Sequence, residues 1–361
     1  MGHTLMYAHG SIVSQIQASY PNPFTDNLSP CYDVYLRCVF LYFSKSYKGH
    51  KPFMKTDPNK GYFCVMAAAV LWASSGTAGK ALFMGGISPL DVVQIRISLS
   101  VLVLFVLISV LHPRYLRIRL RDLAYFLVLG GLFAALVQLS YFYAISKIQV
   151  AAAILLQYLA PIIVAFIAIC FWKEHLTVLK LAALFLALFG CYLVVGGYDL
   201  NIVRMNKIGI MWGLISAGSF AGYTLLSERG MHRYPPWTVL FYSFLFATLS
   251  LSIVQNPSHY IDVKYSASQW GWLLYIAIAG TMIPFGLYFT GINYIRSTRT
   301  IITATLEPIS AALIAYVFLG ETFEIIQITG GISVVCAVVL LQLQREHDDL
   351  APESIRSQLN D

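Results

Sequence analysis

Charged residues are scarce in this sequence, since Asp, Glu, Lys and Arg make up 11% of its 361 positions. A soluble domain carries about 25%. Hydrophobic residues account for 58% of the chain. A chain with so few charges cannot cover its surface with polar groups, which excludes an ordinary water-soluble globular domain. Lipid must therefore be the solvent for much of the protein.

Motifs of the common enzyme classes are also missing. The sequence has no HExxH, GxSxG or P-loop pattern, and no GxGxxG that follows a strand. Its six cysteines form no CxxC pair, and four of them lie within apolar runs, where a thiol packs as a small hydrophobe. We therefore expect no catalytic residue, no metal ion and no cofactor.

The formal net charge of +7 raises the question of nucleic acid. The basic residues, however, lie in short hinges between apolar runs instead of gathering on one face, a distribution typical of membrane topology. We expect the lipid bilayer and a small-molecule substrate as partners, and no nucleic acid. The sequence leaves a homodimer open.

The first 53 residues differ from the rest of the chain. They mix polar residues, proline and aromatics with one apolar run, Val34–Phe43, which is too short for the roughly 20 residues that a spanning helix needs. A basic region followed by an apolar stretch, as in a signal peptide, is absent from this segment. We interpret residues 1–53 as an extension that is either disordered or the product of a misassigned start, with Met54 as the true start.

Ten apolar segments follow, joined by short polar hinges. They cover residues 60–82, 88–111, 121–144, 150–171, 178–197, 208–228, 236–254, 269–291, 299–319 and 323–343. Each has about the length that crosses a hydrocarbon core of roughly 30 Å as a helix. Strands are excluded by this length and by the lack of alternation. The sequence predicts an all-α polytopic membrane protein with ten transmembrane helices.

The orientation follows from the distribution of Lys and Arg among the hinges. With the N-terminus inside, ten of these residues fall in inner hinges and four in outer hinges. Because basic residues are retained on the cytoplasmic side, we expect both termini in the cytoplasm and the protein in the cytoplasmic (inner) membrane. Residues 346–361 then form a cytoplasmic polar tail.

The chain contains an internal repeat. Residues Tyr141–Glu174 align with Tyr288–Glu321 without a gap at an offset of 147, with 13 identities in 34 positions. Apolar composition does not explain two of the matches, which are Pro161 with Pro308 and Glu174 with Glu321. The first helices of the halves also correspond, so each repeat, 54–197 and 198–345, holds five helices. Five is odd, so the halves are predicted to be inverted, as in secondary transporters that alternate access.

The repeat resembles the EamA-domain transporters of the drug/metabolite transporter superfamily over about residues 60–345. The resembling stretches are Val70–Lys80, Pro89–Leu104, Leu155–Leu176, Leu186–Val195 and Thr305–Phe323. The resemblance implies a transporter rather than an enzyme, with alternating access between inverted repeats. It further implies a small metabolite such as an amino acid, an amine or a drug-like compound as substrate, with export as the direction.

Two charged residues inside the apolar segments are candidates for substrate binding or coupling. Glu307 lies near the middle of the ninth segment, directly before Pro308, and an ionised carboxylate at that depth is costly unless it is paired, hydrated or protonated. It is predicted to anchor a substrate amine, to bind a coupling proton, or to pair with Arg96 as a structural carboxylate. Arg96 either binds a substrate carboxylate or phosphate, or holds its helix against a neighbour.

Aromatic and amide side chains are further candidates for the central cavity, because buried Gln and Tyr tips need partners. They are Trp72, Gln138, Tyr141, Gln157, Tyr158, Tyr223, Tyr288 and Asn293. Each could equally be a packing residue. Candidates for gating or helix breaking are Pro161, Pro308, Glu174 and Glu321, and the two glutamates have a helix-capping role as their alternative.

Two other function classes stay open at this point. One is a membrane sensor or assembly partner with transporter ancestry and no flux. The other is an intramembrane lipid-linked transferase, which would need an acid/base or metal constellation near an interface and a sizeable outer loop. The sequence contains neither feature.

Overall fold

The computed structural model describes residues 58–148, 150–172, 177–195, 206–255, 265–319, 324–343 and 351–360. Within these ranges the chain forms helices and no strand. The helices are α1 (Pro58–Met84), α2 (Pro89–Leu111), α3 (Leu120–Lys147), α4 (Val150–Gln157 and Ala160–Trp172), α5 (Val178–Val194), α6 (Lys207–Met231), α7 (Pro236–Val254), α8 (Ala267–Thr303), α9 (Leu306–Leu319), α10 (Ile325–Leu343) and α11 (Pro352–Asn360). The predicted N-terminal extension, residues 1–53, lies outside the described residues.

The prediction of an all-helical multi-pass membrane protein is confirmed. Among the described residues, seven segments are long and apolar enough to cross a membrane, and they belong to α2, α3, α4, α6, α7, α8 and α10. Helix α5 is apolar but shorter. The count of ten spanning helices stays a prediction. One boundary differs, because α8 runs on to Thr303 through a single non-helical residue, Arg296, where the sequence predicted a hinge.

The main contacts between helices recur when the two halves are exchanged. Helix α1 contacts α8 and α9, and its counterpart α6 contacts α3 and α4. In the same way, α2 contacts α8, and its counterpart α7 contacts α3. Helices α2 and α7 contact each other, and so do α5 and α10. Such a pattern is what a twofold relation between two repeats produces.

Local structure repeats along with the packing. Helices α2 and α7 both begin at a proline, Pro89 and Pro236, which are 147 positions apart. Helices α3 and α8 both contain a π-helical segment, Leu127–Ala134 and Ile278–Met282. Because π-helical turns are rare and concentrate at functional sites, their recurrence in both halves indicates a shared architecture around the middle of the molecule.

Helices α5 and α10 meet at two glycines. A Cβ atom placed on Gly330 would lie 2.7 Å from Leu193 Cβ, 2.8 Å from the Gly190 carbonyl oxygen and 2.9 Å from the Val194 nitrogen. A Cβ atom on Gly190 would lie 2.6 Å from the Gly330 carbonyl oxygen. In lipid, where apolar surface gains nothing by leaving solvent, such close backbone approach is what holds helices together.

The predicted polar tail contains a helix that is docked on the bundle. In α11, Arg356 donates hydrogen bonds to the Tyr234 carbonyl at 3.1 Å and to Asn293 Oδ1 at 2.8 Å, and also to the Met231 carbonyl. Glu353 accepts a 2.8 Å hydrogen bond from Asn293 Nδ2. These contacts join α11 to the end of α6, the turn after it and α8.

The glycine contact gives a matched pair of variants on one helix. Gly330→Ala should lower the melting temperature of the detergent-purified protein, because backbone atoms of α5 block the added methyl group at a cost of about 1–3 kcal/mol. Gly331→Ala should leave it unchanged or raise it, since that position has no atom within 4 Å and alanine is the better helix former. Equal melting temperatures for the two variants, read by intrinsic fluorescence, would contradict the close contact.

Candidate functional site

Two helix breaks face each other near the middle of the molecule. The first covers residues 158–159 within α4, and the second covers residues 304–305 between α8 and α9. The repeat offset of 147 superposes them to within one residue. The predicted helix breakers Pro161 and Pro308 each lie in the first turn after a break, where proline is tolerated because its missing N–H is not needed.

Pro308 leaves the carbonyl oxygen of Ala304, four residues earlier, without its helical donor. The Tyr158 hydroxyl lies 2.6 Å from this oxygen, and the Glu307 backbone N–H donates to it at 3.0 Å. The same hydroxyl lies 2.9 Å from Glu307 Oε2. A tyrosine at the break in the first half thus satisfies a carbonyl at the break in the second half.

A cavity lies beside these breaks. The centres of water molecules can occupy about 40 Å³ of it, which is room for about three waters. Six of the residues predicted from the sequence line it, namely Trp72, Arg96, Gln138, Tyr141, Gln157 and Glu307. The structure therefore gathers on one cavity residues from α1, α2, α3, α4 and α9, which are far apart in the sequence.

Arg96 is almost completely buried, with 2% of its surface exposed. Its guanidinium group donates to Gln138 Oε1 and, weakly at 3.4 Å, to Thr281 Oγ1. The guanidinium carbon lies 3.8 Å from the centroid of the Phe142 ring, an arrangement that stabilises a cation. Arg96 and Glu307 line the same cavity but form no ion pair with each other. The predicted structural pairing of these two charges is therefore not formed in this conformation.

Two of the predicted tyrosines belong to a packed aromatic cluster and not to the cavity wall. The Tyr223 hydroxyl bonds to Ser243 Oγ at 2.9 Å, and the Tyr288 hydroxyl bonds to Thr224 Oγ1 at 2.9 Å. The Tyr288 ring lies with its centroid 5.2 Å from that of Trp72, so the cluster supports a residue that does line the cavity. Both tyrosines are fully buried.

The remaining candidates lie elsewhere. Asn293 is away from the cavity and is bonded to Glu353 and Arg356 of α11. Glu174 and Glu321 lie outside the described residues.

Several residues at the site were missed by sequence reasoning. Phe142, which stacks on Arg96, carried a signal because it matches Phe289 in the repeat, whereas Thr281 and Ser75 are small polar residues in apolar helices with no pattern to select them.

A second polar cluster fixes the end of the bundle near α11. Arg296 has φ 63° and ψ 171°, a left-handed conformation that is strained for a residue with a side chain. Glu228 of α6 accepts hydrogen bonds from Arg296 Nε at 3.1 Å and from the Ser297 backbone N–H at 2.7 Å. Because these charge-assisted bonds engage the kinked residue and the residue that follows it, they hold the kink in α8.

Comparison with known proteins places the chain among membrane transporters. The EamA-like transporter family matches it twice, over residues 59–196 and 207–343, which confirms the predicted pair of repeats. An uncharacterized transporter of Archaeoglobus fulgidus is 30% identical over 201 residues, or 56% of this chain and 70% of that protein. An uncharacterized inner membrane transporter of Salmonella typhimurium, YicL, is 29% identical over 291 residues, or 79% of this chain and 95% of that protein.

A further relative has a named substrate. The pseudopaline exporter CntI of Pseudomonas aeruginosa is 25% identical over 219 residues, or 60% of this chain and 74% of that protein. A protein known from a crystal structure shares the fold, with a TM-score of 0.62 and 18% identity over 79% of this chain and 97% of that chain. The relatives are transporters and not enzymes, as the sequence predicted.

The tyrosine between the breaks should stabilise the folded protein. Tyr158→Phe removes the hydroxyl from the Ala304 carbonyl and from Glu307, and should cost about 1–3 kcal/mol because the carbonyl keeps only the Glu307 N–H as a donor and Glu307 Oε2 loses its partner. Tyr141→Phe is the matched control, since the Tyr141 hydroxyl is buried without a hydrogen-bond partner. Thermal unfolding in detergent should show a clear loss for the first variant and none for the second. A loss of the same size in both would refute the bridging role.

Stability should depend on the histidine that follows α6. Burial lowers the pKa of His232 from 6.5 to about 4, together with the positive charges of Arg296, Arg229, Arg356 and Arg233. Between these two values the unfolded chain binds a proton that the folded protein does not bind, so stability is lost as the pH falls from 6.5 towards 4. The full effect would be about 3 kcal/mol.

The change to test is His232→Asn, which removes this titration. Its melting temperature should fall less than that of the unmodified protein when the pH is lowered over the same interval. His112→Asn is the control, because it makes the same substitution at an exposed histidine. Parallel curves for all three proteins would mean that His232 is not protected from protonation.

Proposed function

Since the chain belongs to the EamA-like transporter family, we propose that it is a secondary transporter that exports a small metabolite, such as an amino acid, an amine or a drug-like compound. The observation that carries the proposal is the cavity between the two helix breaks, with Arg96 and Glu307 in its wall. Broken helices around a central site are typical of secondary transporters, because they expose backbone and charged groups to a substrate within the membrane.

Alternating access between two inverted five-helix halves, 54–197 and 198–345, is the proposed mechanism. The packing pattern that survives exchange of the halves supports it, since the two halves can then trade conformations and open the site to opposite sides. The cavity supports it as well. A space for about three waters is too small for a metabolite, whose pockets usually measure about 300–1,000 Å³, so the helices have to rearrange to admit one.

The proposed location is the cytoplasmic membrane, with both termini in the cytoplasm. The excess of Lys and Arg in the inner hinges supports this orientation. The name of one relative, an inner membrane transporter, supports the location, and the name of another, an exporter, supports the direction of transport. In this orientation the end of the bundle with α11 and the Glu228–Arg296 pair faces the cytoplasm.

Glu307 is the proposed proton-coupling group. The Ala304 carbonyl can only accept a hydrogen bond, and the Tyr158 hydroxyl has one hydrogen to share between that carbonyl and Glu307 Oε2. When the hydroxyl donates to the carbonyl, a protonated Glu307 completes the set by donating to the hydroxyl. When a substrate ammonium or a rearrangement draws Glu307 away, the proton is released. Binding of proton and substrate would then be mutually exclusive.

The test combines binding with flux. A metabolite library is screened by thermal shift on the detergent-purified protein, and each hit is assayed in proteoliposomes for uptake and for proton movement with a trapped pH dye. Glu307→Gln should reduce net flux about tenfold or more and remove its pH dependence, because it deletes a charged hydrogen-bonding group. Glu324→Gln, at an exposed carboxylate, should change neither quantity.

Two results would count against the proposal. Unchanged rate and pH dependence in Glu307→Gln would remove Glu307 as the coupling site while leaving transport intact. Hits that bind without any flux in either direction would instead favour the sensor class.

A further inference from the structure

One wall of the cavity carries hydrogen-bond donors that have no acceptor. The Trp72 indole N–H, the Arg96 Nε–H, the Gln138 Nε2 amide and the Tyr141 hydroxyl are all buried without a partner. All four residues line the same cavity. Buried donors are nearly always satisfied in native proteins, so four on one cavity indicate a missing acceptor.

The hydrogen bond from Arg96 determines which end of the Gln138 amide is the oxygen and which is the nitrogen. Arg96 can only donate hydrogen bonds, so the Gln138 atom that it contacts must be the carbonyl oxygen Oε1. The NH₂ group of Gln138 is then free to donate to the cavity beside the guanidinium group. The Arg96–Gln138 hydrogen bond therefore holds two donor groups, one on α2 and one on α3, next to each other.

The cavity lining also contains a group of the opposite kind. Glu307 supplies carboxylate oxygens and forms no ion pair with Arg96, although both residues line the cavity together with Tyr141. The lining therefore combines a cationic, donor-rich set of side chains with one acidic side chain that is not paired to it. A ligand that satisfies the donor-rich set must present negatively charged oxygen atoms.

The repeat argues against a purely structural reason for these charges. At the offset of 147, the position of Arg96 is occupied by Ser243 and the position of Glu307 by Ala160. The second half builds the same arrangement of α7 without a cation, and the first half builds the same break without a carboxylate. Because the architecture forms without either charge, each charge is an addition to the scaffold.

We propose that Trp72, Arg96, Gln138 and Tyr141 form an oxyanion subsite that binds the carboxylate of the metabolite, with Glu307 facing its amino group. This deepens the proposed function, on which it rests for the identity of the ligand as cargo. The transported compound then carries both a carboxylate and an amine. A phosphate ester shares the chemistry that the four donors recognise, and the test separates the two.

The probes are matched sets that differ in one charged group. One set is L-leucine, 4-methylpentanoate and 3-methylbutylamine; a second is L-phenylalanine, 3-phenylpropanoate and 2-phenylethylamine; O-phosphoethanolamine represents phosphate esters. Affinity is measured by thermal shift and by isothermal calorimetry on the full-length protein in detergent. Amino acids and acids should bind, amines should not, and the amino acid should bind more tightly than its acid.

The variants separate binding from folding. Arg96→Gln should weaken carboxylate binding about tenfold or more, the loss expected for a charged contact. Gln138→Glu places a carboxylate of the protein on Arg96, so it should abolish binding of added carboxylates while the folded protein keeps its melting temperature. Lys147→Gln removes an exposed cation at the end of α3 and should leave every affinity unchanged.

The proposal is overturned if amines bind as well as acids, if no carboxylate in the panel binds, or if Arg96→Gln and Gln138→Glu keep the original affinity. Preferential binding of O-phosphoethanolamine would replace the carboxylate by a phosphate ester. The transporter proposal fails separately. Carboxylates that bind through Arg96 but never cross proteoliposome membranes would leave the subsite intact and remove transport, whereas flux that ignores Arg96 would do the opposite.

Discussion

A proline inside a membrane helix imposes the constraint on which the rest of this site depends. Pro308 cannot donate to the Ala304 carbonyl, and hydrocarbon offers no water to take its place. The Ala304 carbonyl instead accepts from the Glu307 backbone N–H and from the Tyr158 hydroxyl, which belongs to the other half of the chain. The Tyr158 hydrogen bond therefore helps to satisfy a local defect and joins the two repeats at their centre. Because Glu307 directly precedes the proline, the same bond positions the most conspicuous charge of the cavity.

The features of the helical scaffold occur in both halves, whereas the charged residues of the cavity occur in only one half each. Helix pairings, helix breaks and π-helical segments occur in both halves, so each can be understood as one solution used twice. Arg96 and Glu307 occur once each, in different halves. A site that is electrically asymmetric within a symmetric frame can bind a ligand with distinct ends in one orientation. Such a site discriminates between ligands by charge as well as by shape.

Much of this arrangement follows from the sequence, because apolar length and an ungapped repeat depend on local composition. Three cavity residues, Arg96, Gln138 and Glu307, could be predicted because they are polar residues in otherwise apolar helices. Such residues rarely occur without a polar partner or a cavity. Tyr223 and Tyr288 satisfied the same criterion, yet they bond to Ser243 and Thr224 inside a packed cluster. Only three-dimensional packing decides whether a tyrosine hydroxyl meets a cavity or a neighbouring hydroxyl.

Other features had no sequence signal at all. The docking of α11 depends on backbone carbonyls at Met231 and Tyr234, which any residue could supply. The kink in α8 at the predicted hinge is held by Glu228, a residue 68 positions away from Arg296 that bonds to Arg296 and to Ser297. The short polar stretch between two apolar segments predicted a hinge where the kink at Arg296 lies. It did not predict that an ion pair with Glu228 would hold this kink.

The crossing of α5 and α10 limits what kind of motion the molecule can undergo. At Gly190 and Gly330 the two backbones, one from each half, approach so closely that a Cβ atom on either glycine would collide with backbone atoms of the other helix. Two bodies joined in this way cannot swing apart as rigid wholes. If the helices alternate as proposed, we expect α5 and α10 to stay together while the other helices of the two repeats move.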